Sequence, residues 1–316
     1  MHAIHLDNAV FEGENVVYLL DPPDGPTTLV DAGAPLDEVR EGLRDGLAAA
    51  GLEVADLDRI LLTHWHWDHS GLAGELQAES GASVHVHVRD APLMDGSGRT
   101  EFQELRRRCF ARWGIPDGPR EELTAFLDRN AGLAGEPADV TPFEHGERFS
   151  LGDEELHAVH LPGHADGLCV FYRPTRDEAF VGDVILPEYT PNVGGADPRV
   201  GCALATYRAS LRWFADAGLD RAWPGHRDPI DDPAGRATEI LAHHEERTAA
   251  TRSALERVGP ATAWQVSAEL FGDLAESHVL HGPGEAWAHL EELVEKQAVV
   301  REEMDSVWTY RLVGGT

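Results

Sequence analysis

Apolar positions along the chain fall into short runs, strict alternations and helical stripes that succeed one another. Val16-Val17-Tyr18-Leu19-Leu20 and Thr27-Thr28-Leu29-Val30 are short apolar runs around the turn-rich Asp21-Pro22-Pro23-Asp24-Gly25-Pro26, which predicts two joined strands. Leu36, Val39, Leu43 and Leu47 recur at helical spacing over Leu36 to Ala50, and Gly51 ends that helix. Arg59-Ile60-Leu61-Leu62 reads as a buried strand, and a helix is expected to start at Ser70-Gly71-Leu72. Ser83 to Val88 alternates strictly, a strand whose His85 and His87 share a polar face. Helical patterns over Arg99 to Trp113 and Arg120 to Ala131 flank a Gly/Pro turn and read as an insertion of about residues 95–140. Strands resume at Phe149, Leu156–Leu161, Leu168–Tyr172, Glu178–Asp183 and Arg221–Trp223, with a helix over Leu204–Ala217. Strands and helices so intermixed predict an α/β fold.

After Asp232-Pro233 the pattern changes. An Asp cap followed by Pro at a first helical position opens a long helix to about Val258, stopped by Gly259-Pro260. Helices over Thr262–Phe271 and Gly284–Gln297 follow, then two strands, Ala298–Met304 and Val307–Leu312, around Asp305-Ser306. Helices closed by a two-stranded ribbon predict a winged-helix domain over 233–316, behind a catalytic domain over 1–232.

Composition narrows the setting. The formal net charge is −30 and Lys296 is the only lysine. Such a surface repels polyanions, unless it belongs to a halophilic protein in a salty cytoplasm where the Debye length is only about 3 Å at 1 M. No apolar run is long enough for a membrane span, and Met1 to Asp7 lacks the pattern of a signal peptide, so a cytoplasmic location is expected. Cys109, Cys169 and Cys202 form no CxxC pair and read as reduced thiols rather than metal ligands.

The chemistry is concentrated in Thr63-His64-Trp65-His66-Trp67-Asp68-His69, at a strand-to-helix corner where side chains can converge. Imidazoles and a carboxylate suit borderline divalent metals such as zinc. Further apolar strands end in a glycine beside a residue of ligand type: Asp31 before Gly33, His164 after Gly163, Asp183 after Gly182 and His226 after Gly225.

This set, in this order, resembles the metallo-β-lactamase superfamily, and the resemblance spans residue 1 to about 232. It implies an αββα sandwich of two mixed sheets flanked by helices. Within that superfamily the chain is similar to the lactamase-β-like hydrolases, which include mitochondrial endoribonucleases and fungal polyketide thioesterases; the insertion departs from the mitochondrial members. The resemblance implies that His64, His66 and His164 hold one Zn(2+) and that Asp68, His69 and His226 hold a second. Asp183 would bridge the two, and Asp31 would orient an imidazole from behind. Manganese or iron could replace zinc. Asp68 and Asp183 are then the catalytic carboxylates of a hydrolase that attacks with a hydroxide bridging the metals. Asp183 stands where zinc β-lactamases carry cysteine, which points away from antibiotic hydrolysis.

Two substrate classes follow. The leading expectation is a phosphodiesterase or nuclease acting on RNA or single-stranded nucleic acid, with Arg106, Arg107, Arg108 and Arg112 of the insertion as phosphate-binding groups. The alternative is a thioester or ester hydrolase of a small acyl substrate. The third helix of the winged-helix module carries Glu285, Glu291, Glu292 and Glu295, which disfavours reading DNA with that face. Packing against a second copy in a homodimer is its other expected use.

Overall fold

The computed structural model describes residues 1–8, 13–272 and 278–314. Strands β1 (His2–Asn8), β2 (Gly13–Leu20), β3 (Thr28–Val30), β4 (Arg59–Leu61), β5 (Ser83–His87) and β6 (Val140–Phe143) form one sheet in that order. It is antiparallel from β1 to β3 and parallel from β3 to β6. The second sheet runs β7 (Arg148–Ser150), β8 (Glu155–His160), β9 (Cys169–Arg173), β10 (Glu178–Gly182) and β11 (Arg221–Pro224), parallel only between β10 and β11. Both sheets are mixed, as the α/β expectation requires.

Burial explains the layers. β1 hides every second side chain, Ile4 and Leu6 among them, as an edge strand with one wet face does. β2 is apolar without alternation because both of its faces are covered. Val16, Tyr18 and Leu20 face the space between the sheets, where they meet Phe149, Phe171 and Phe180, while Val17 and Leu19 join the core under the outer helices. Phe143, Phe149 and Phe171 pack ring to ring between the sheets with centroids 5.3 to 6.0 Å apart, each ring contributing about 1.5–3 kcal/mol of burial.

Helices cover the outer faces. α1 (Asp37–Ala49) lays Val39, Leu43 and Leu47 on the first sheet. The helix expected from Ser70 is split into α2 (Trp67–Ser70) and α3 (Ala73–Ser80). At the junction a β-carbon on Gly71 would lie 2.3 Å from Pro35, so the close approach of the two segments there needs glycine. α4 (Ala91–Met94), α5 (Arg99–Arg112) and α6 (Asp117–Arg129) lead into β6, a strand absent from the sequence expectations. α7 (Ala203–Ala217) covers the second sheet with Leu204, Tyr207, Leu211 and Phe214.

The carboxy-terminal segment comprises α8 (Pro233–Val258), α9 (Ala263–Phe271), α10 (His278–Glu295) and the antiparallel ribbon β12 (Val299–Met304) and β13 (Val307–Leu312). α8 opens as its sequence implies, with the Asp232 side chain accepting from the Gly235 amide and Pro233 in the first turn. α10 begins six residues before Gly284 and contains Pro283. Gly284 lies so close to Gly195 that a β-carbon would approach its Cα to 2.2 Å, so the Pro-Gly pair serves a close backbone approach within the helix rather than its start. The core of this segment is continuous with the insertion: Phe110, Trp113, Leu123 and Leu127 pack with Leu255, Val266, Leu290 and Tyr310.

Among the described residues no helix is long and apolar enough to cross a membrane.

Candidate metal centre

The carboxyl ends of β3, β4, β8, β10 and β11 open on one edge of the sandwich, where loops can place polar groups against a rigid frame. Asp31, His64, His164, Asp183 and His226 each lie just beyond one of these ends. Backbone bonds fix the loops to one another. The amides of Asp31 and Cys169 donate to Leu61 and Thr63, and the Gly225 amide donates to Gly182. Gly225 has to be glycine, since a β-carbon would lie 2.3 Å from the His69 ring.

Seven side chains converge in three overlapping groups: His64, His66 and His164; His64, His69 and Asp183; and Asp68, His69 and His226. Within each group the ligand atoms lie within 4.8 Å of one another. The Nδ1 of His66 sits 3.0 Å from His64 Nε2 and 2.9 Å from His164 Nε2. Asp183 lies between the groups, with Oδ1 3.4 Å from His69 Nε2 and Oδ2 3.6 Å from His164 Nε2 and 3.5 Å from His226 Nε2. Asp68 Oδ2 is 3.4 Å from His226 Nε2.

Proton placement decides what this cluster can hold. His164 Nδ1 donates to the Asn192 carbonyl at 2.9 Å, and His226 Nδ1 to the Glu14 carbonyl at 2.6 Å. His69 Nδ1 donates to Asp31 at 3.0 Å. The Thr63 hydroxyl gives its proton to Asp31 and so accepts from His64 Nδ1. With their outer nitrogens held in this way, the rings of His64, His69, His164 and His226 turn their inner nitrogens toward the centre, where a metal ion would take the place of any proton they carry. Inside, the buried His69 Nε2 and Asp183 Oδ1 find no hydrogen-bond partner. Inner nitrogens and two carboxylates crowded this closely need positive charge between them, so the residues fit a pair of divalent ions.

The charge balance agrees. Burial, reinforced by the neighbouring rings, pushes His66 down to about 3, so that it stays neutral. Burial also opposes charge on His226, yet Asp183 and Asp68 outweigh it and push that ring up to about 10. The same carboxylates drive His69 upward against its burial. Burial would raise Asp183 and Asp68, but His69 and His226 hold both well below the usual carboxylate range. The carboxylates therefore demand positive charge in the centre, and a metal ion meets the same demand as a proton.

The model of the metallo-beta-lactamase superfamily matches residues 10–226. The chain belongs to that superfamily. A probable metallo-hydrolase of Bacillus subtilis, YqjP, is 26% identical over 307 residues, covering 94% of this chain and 93% of that protein. A metallo-beta-lactamase family protein from Thermus thermophilus superposes with a TM-score of 0.84 at 29% identity, covering 99% of this chain and 98% of that one. A structure described as being in a di-iron-bound form aligns at 25% identity with a TM-score of 0.52, covering 74% of this chain and 96% of that one. The chain is thus a metallo-beta-lactamase superfamily hydrolase whose His/Asp cluster is suited to metal.

Asp31 sits behind this metallo-beta-lactamase centre with φ 61°, a strained geometry for a residue other than glycine. From there it also accepts from the Thr63 amide at 2.7 Å. Sequence reasoning missed a second carboxylate frame. Buried Asp90 accepts from the Trp65 amide at 3.1 Å, and buried Asp197 from the Trp65 indole at 3.0 Å. Arg199 pairs with both carboxylates. Burial raises Asp90 to about 6, whereas Arg199 overcomes the burial of Asp197 and brings it to about 2. Asn15, whose amide lies 3.3 Å from Asp68, is a buried polar residue just before the apolar run of β2. The Asn192 and Glu14 carbonyls leave no trace in residue type.

The four arginines of the insertion separate. Arg106 is buried and lines a cavity of about 330 Å³ together with Trp65, Trp67, Leu93, Met94 and Phe102. Arg107 and Arg108 are exposed, 3.9 Å from Asp128 and Glu104. Arg112 lies over the Trp308 ring at 4.9 Å. Among the described residues they form no common face.

Proposed function

We propose that the chain is a two-metal hydrolase of small acyl thioesters or esters. The observation that carries this reading is the cavity beside the centre. Trp65, whose ring lies 4.7 Å from that of His66, forms part of its wall, and about 330 Å³ suits a small molecule far better than a polynucleotide. The net charge of −30 accords with it.

His64, His66 and His164 would hold one ion, and Asp68, His69 and His226 the other, with Asp183 between them. Zinc, manganese and iron all suit these donors. When bound, such a pair supplies Lewis acidity and makes water nucleophilic near neutral pH. Asp68, kept ionised by His69 and His226 and braced by Asn15, accepts a hydrogen bond from the attacking water and so orients it. Water oxygen bonds to the acyl carbon, the carbon–sulfur or carbon–oxygen bond breaks, and the thiol or alcohol leaves with a proton. Trp65 and Trp67 shield the acyl chain from bulk water. We read α8 to β13 as a winged-helix module that buttresses the insertion forming the cavity wall.

Phosphodiester cleavage is the second reading, favoured by a centre that would serve either bond and by the arginines that line the neighbouring cavity. A paired assay separates the two. Metal-loaded protein is expected to cleave octanoyl thioesters in a chelator-sensitive way and to leave single-stranded RNA intact. RNA cleavage without thioester cleavage would reverse the assignment.

A further inference from the structure

Two arginines line the cavity, and they differ in what they have to bind. Arg99 places its donors on the carbonyls of Leu93, Ala134 and Gly135. Arg106 makes no hydrogen bond or ion pair with any described residue, its Nε is buried without a partner, and the side chain is only 4% exposed. Its one close neighbour of note is the Phe102 ring, 5.3 Å away. On α5 it occupies the same stripe as the buried Phe102, Cys109 and Phe110, where a core residue would be expected. An unpaired guanidinium there costs stability, and burial pushes it down to about 10. Such a group is retained most readily when a ligand completes it.

We propose that Arg106 binds a carboxylate at the far end of the acyl substrate, so that the enzyme selects acyl chains carrying a second, remote anionic group. This deepens the thioesterase reading and rests on it for the substrate class, though not for the binding site. Ring contacts run from His66 to Trp65 at 4.7 Å, from Trp65 to Phe102 at 4.8 Å and from Phe102 to Arg106 at 5.3 Å, so Trp65 is a wall shared by the metal centre and the cavity that holds the guanidinium. Charge selects the anion. Arg106 is one unspent cation, and Asp197, whose charge acts on it, is already engaged by Arg199. A monoanionic carboxylate balances that charge and suits the planar guanidinium fork, whereas a phosphate dianion would leave an excess negative charge buried.

Two measurements on the metal-loaded protein test this, one of them independent of turnover. Quenching of tryptophan fluorescence should show 4-phenylbutyrate binding at least tenfold more tightly than 4-phenylbutyramide. Arg106→Gln should erase that preference, Arg106→Lys should keep part of it, and exposed Arg107→Gln should leave it intact. Arg106→Met should melt no lower than wild type, because it removes an unpaired buried charge, and 4-phenylbutyrate should no longer raise its Tm. In turnover, the half-thioester of suberate should be preferred over the octanoyl thioester through a KM at least tenfold lower, and Arg106→Gln should collapse that ratio. A preference that survives in Arg106→Gln would place the carboxylate elsewhere and overturn the proposal. So would equal binding of the amide, tighter binding of 3-phenylpropyl phosphate, or an Arg106→Met variant that melts lower and still prefers the carboxylate. If neither thioester is cleaved while the binding preference depends on Arg106, the thioesterase reading fails and the carboxylate site stands.

Discussion

The metal centre and the cavity beside it are built on opposite principles. In the centre, the outer nitrogens of His64, His69, His164 and His226 are each spent on a named acceptor, so the rings are fixed and their inner nitrogens are left for metal. In the cavity, Arg106 is left unpaired by the described residues while Arg99 beside it donates from each of its three nitrogens to a backbone carbonyl. The first arrangement serves reaction chemistry, which needs rigid geometry. The second serves selection, which needs a group that only the right ligand completes. The difference teaches where to look for each: saturated donors aim a catalytic group, and an unsatisfied one waits for substrate.

The largest effect should come from the centre itself. Asp183→Ala is expected to lower kcat/KM at least a thousandfold, about 4 kcal/mol of transition-state stabilisation, and to reduce bound metal, with circular dichroism unchanged. Retained turnover would remove Asp183 from the chemistry. Next comes the frame shared by the two regions. Arg199→Met strips Asp90 and Asp197 of their counterion behind Trp65 and should cost about 3 kcal/mol of stability at neutral pH, read by denaturant unfolding. Asp90 already stands at about 6, above its ordinary value. A raised carboxylate favours the folded state while protonated, and that contribution is lost as pH rises toward and through 6. The Arg199→Met penalty should therefore shrink at pH 5 relative to pH 7.5, and a penalty independent of pH would break this assignment.

Asp31→Asn keeps the shape but weakens the hold on His69 and Thr63. It should weaken metal binding about 10- to 100-fold by competition with a chelator, and unchanged affinity would show that His69 is aimed by other means. Arg112→Ala gives the smallest expected effect. It loses only a cation on the Trp308 ring, worth about 0.5–1 kcal/mol of stability, and should leave turnover unchanged. A marked loss of activity there would return Arg112 to the substrate path.

Much of this architecture was legible in the chain. Strand ends marked by Gly182 and Gly225 located Asp183 and His226, because turning a backbone at a sheet edge needs glycine and places the next side chain over that edge. The helical stripe Val39, Leu43 and Leu47 and the cap at Asp232 also appear as expected. Long-range packing was less legible. β6 contains Pro142 and has two exposed side chains, so its pattern resembles a loop until β5 pairs with it. The arginine cluster looked like one basic face, yet consecutive helical residues are about 100° apart. Arg106 therefore turns inward while Arg107 and Arg108 face solvent. Nothing in residue type announces the carbonyls of Asn192 and Glu14, since any side chain could accompany them.

The number of divalent ions bound per chain tests the central claim most directly, measured by elemental analysis on protein loaded with excess zinc and freed of loose metal. Two ions per chain are expected, falling together with thioester hydrolysis as a chelator removes them. Hydrolysis that persists in a folded chain holding no ion would contradict the two-metal centre.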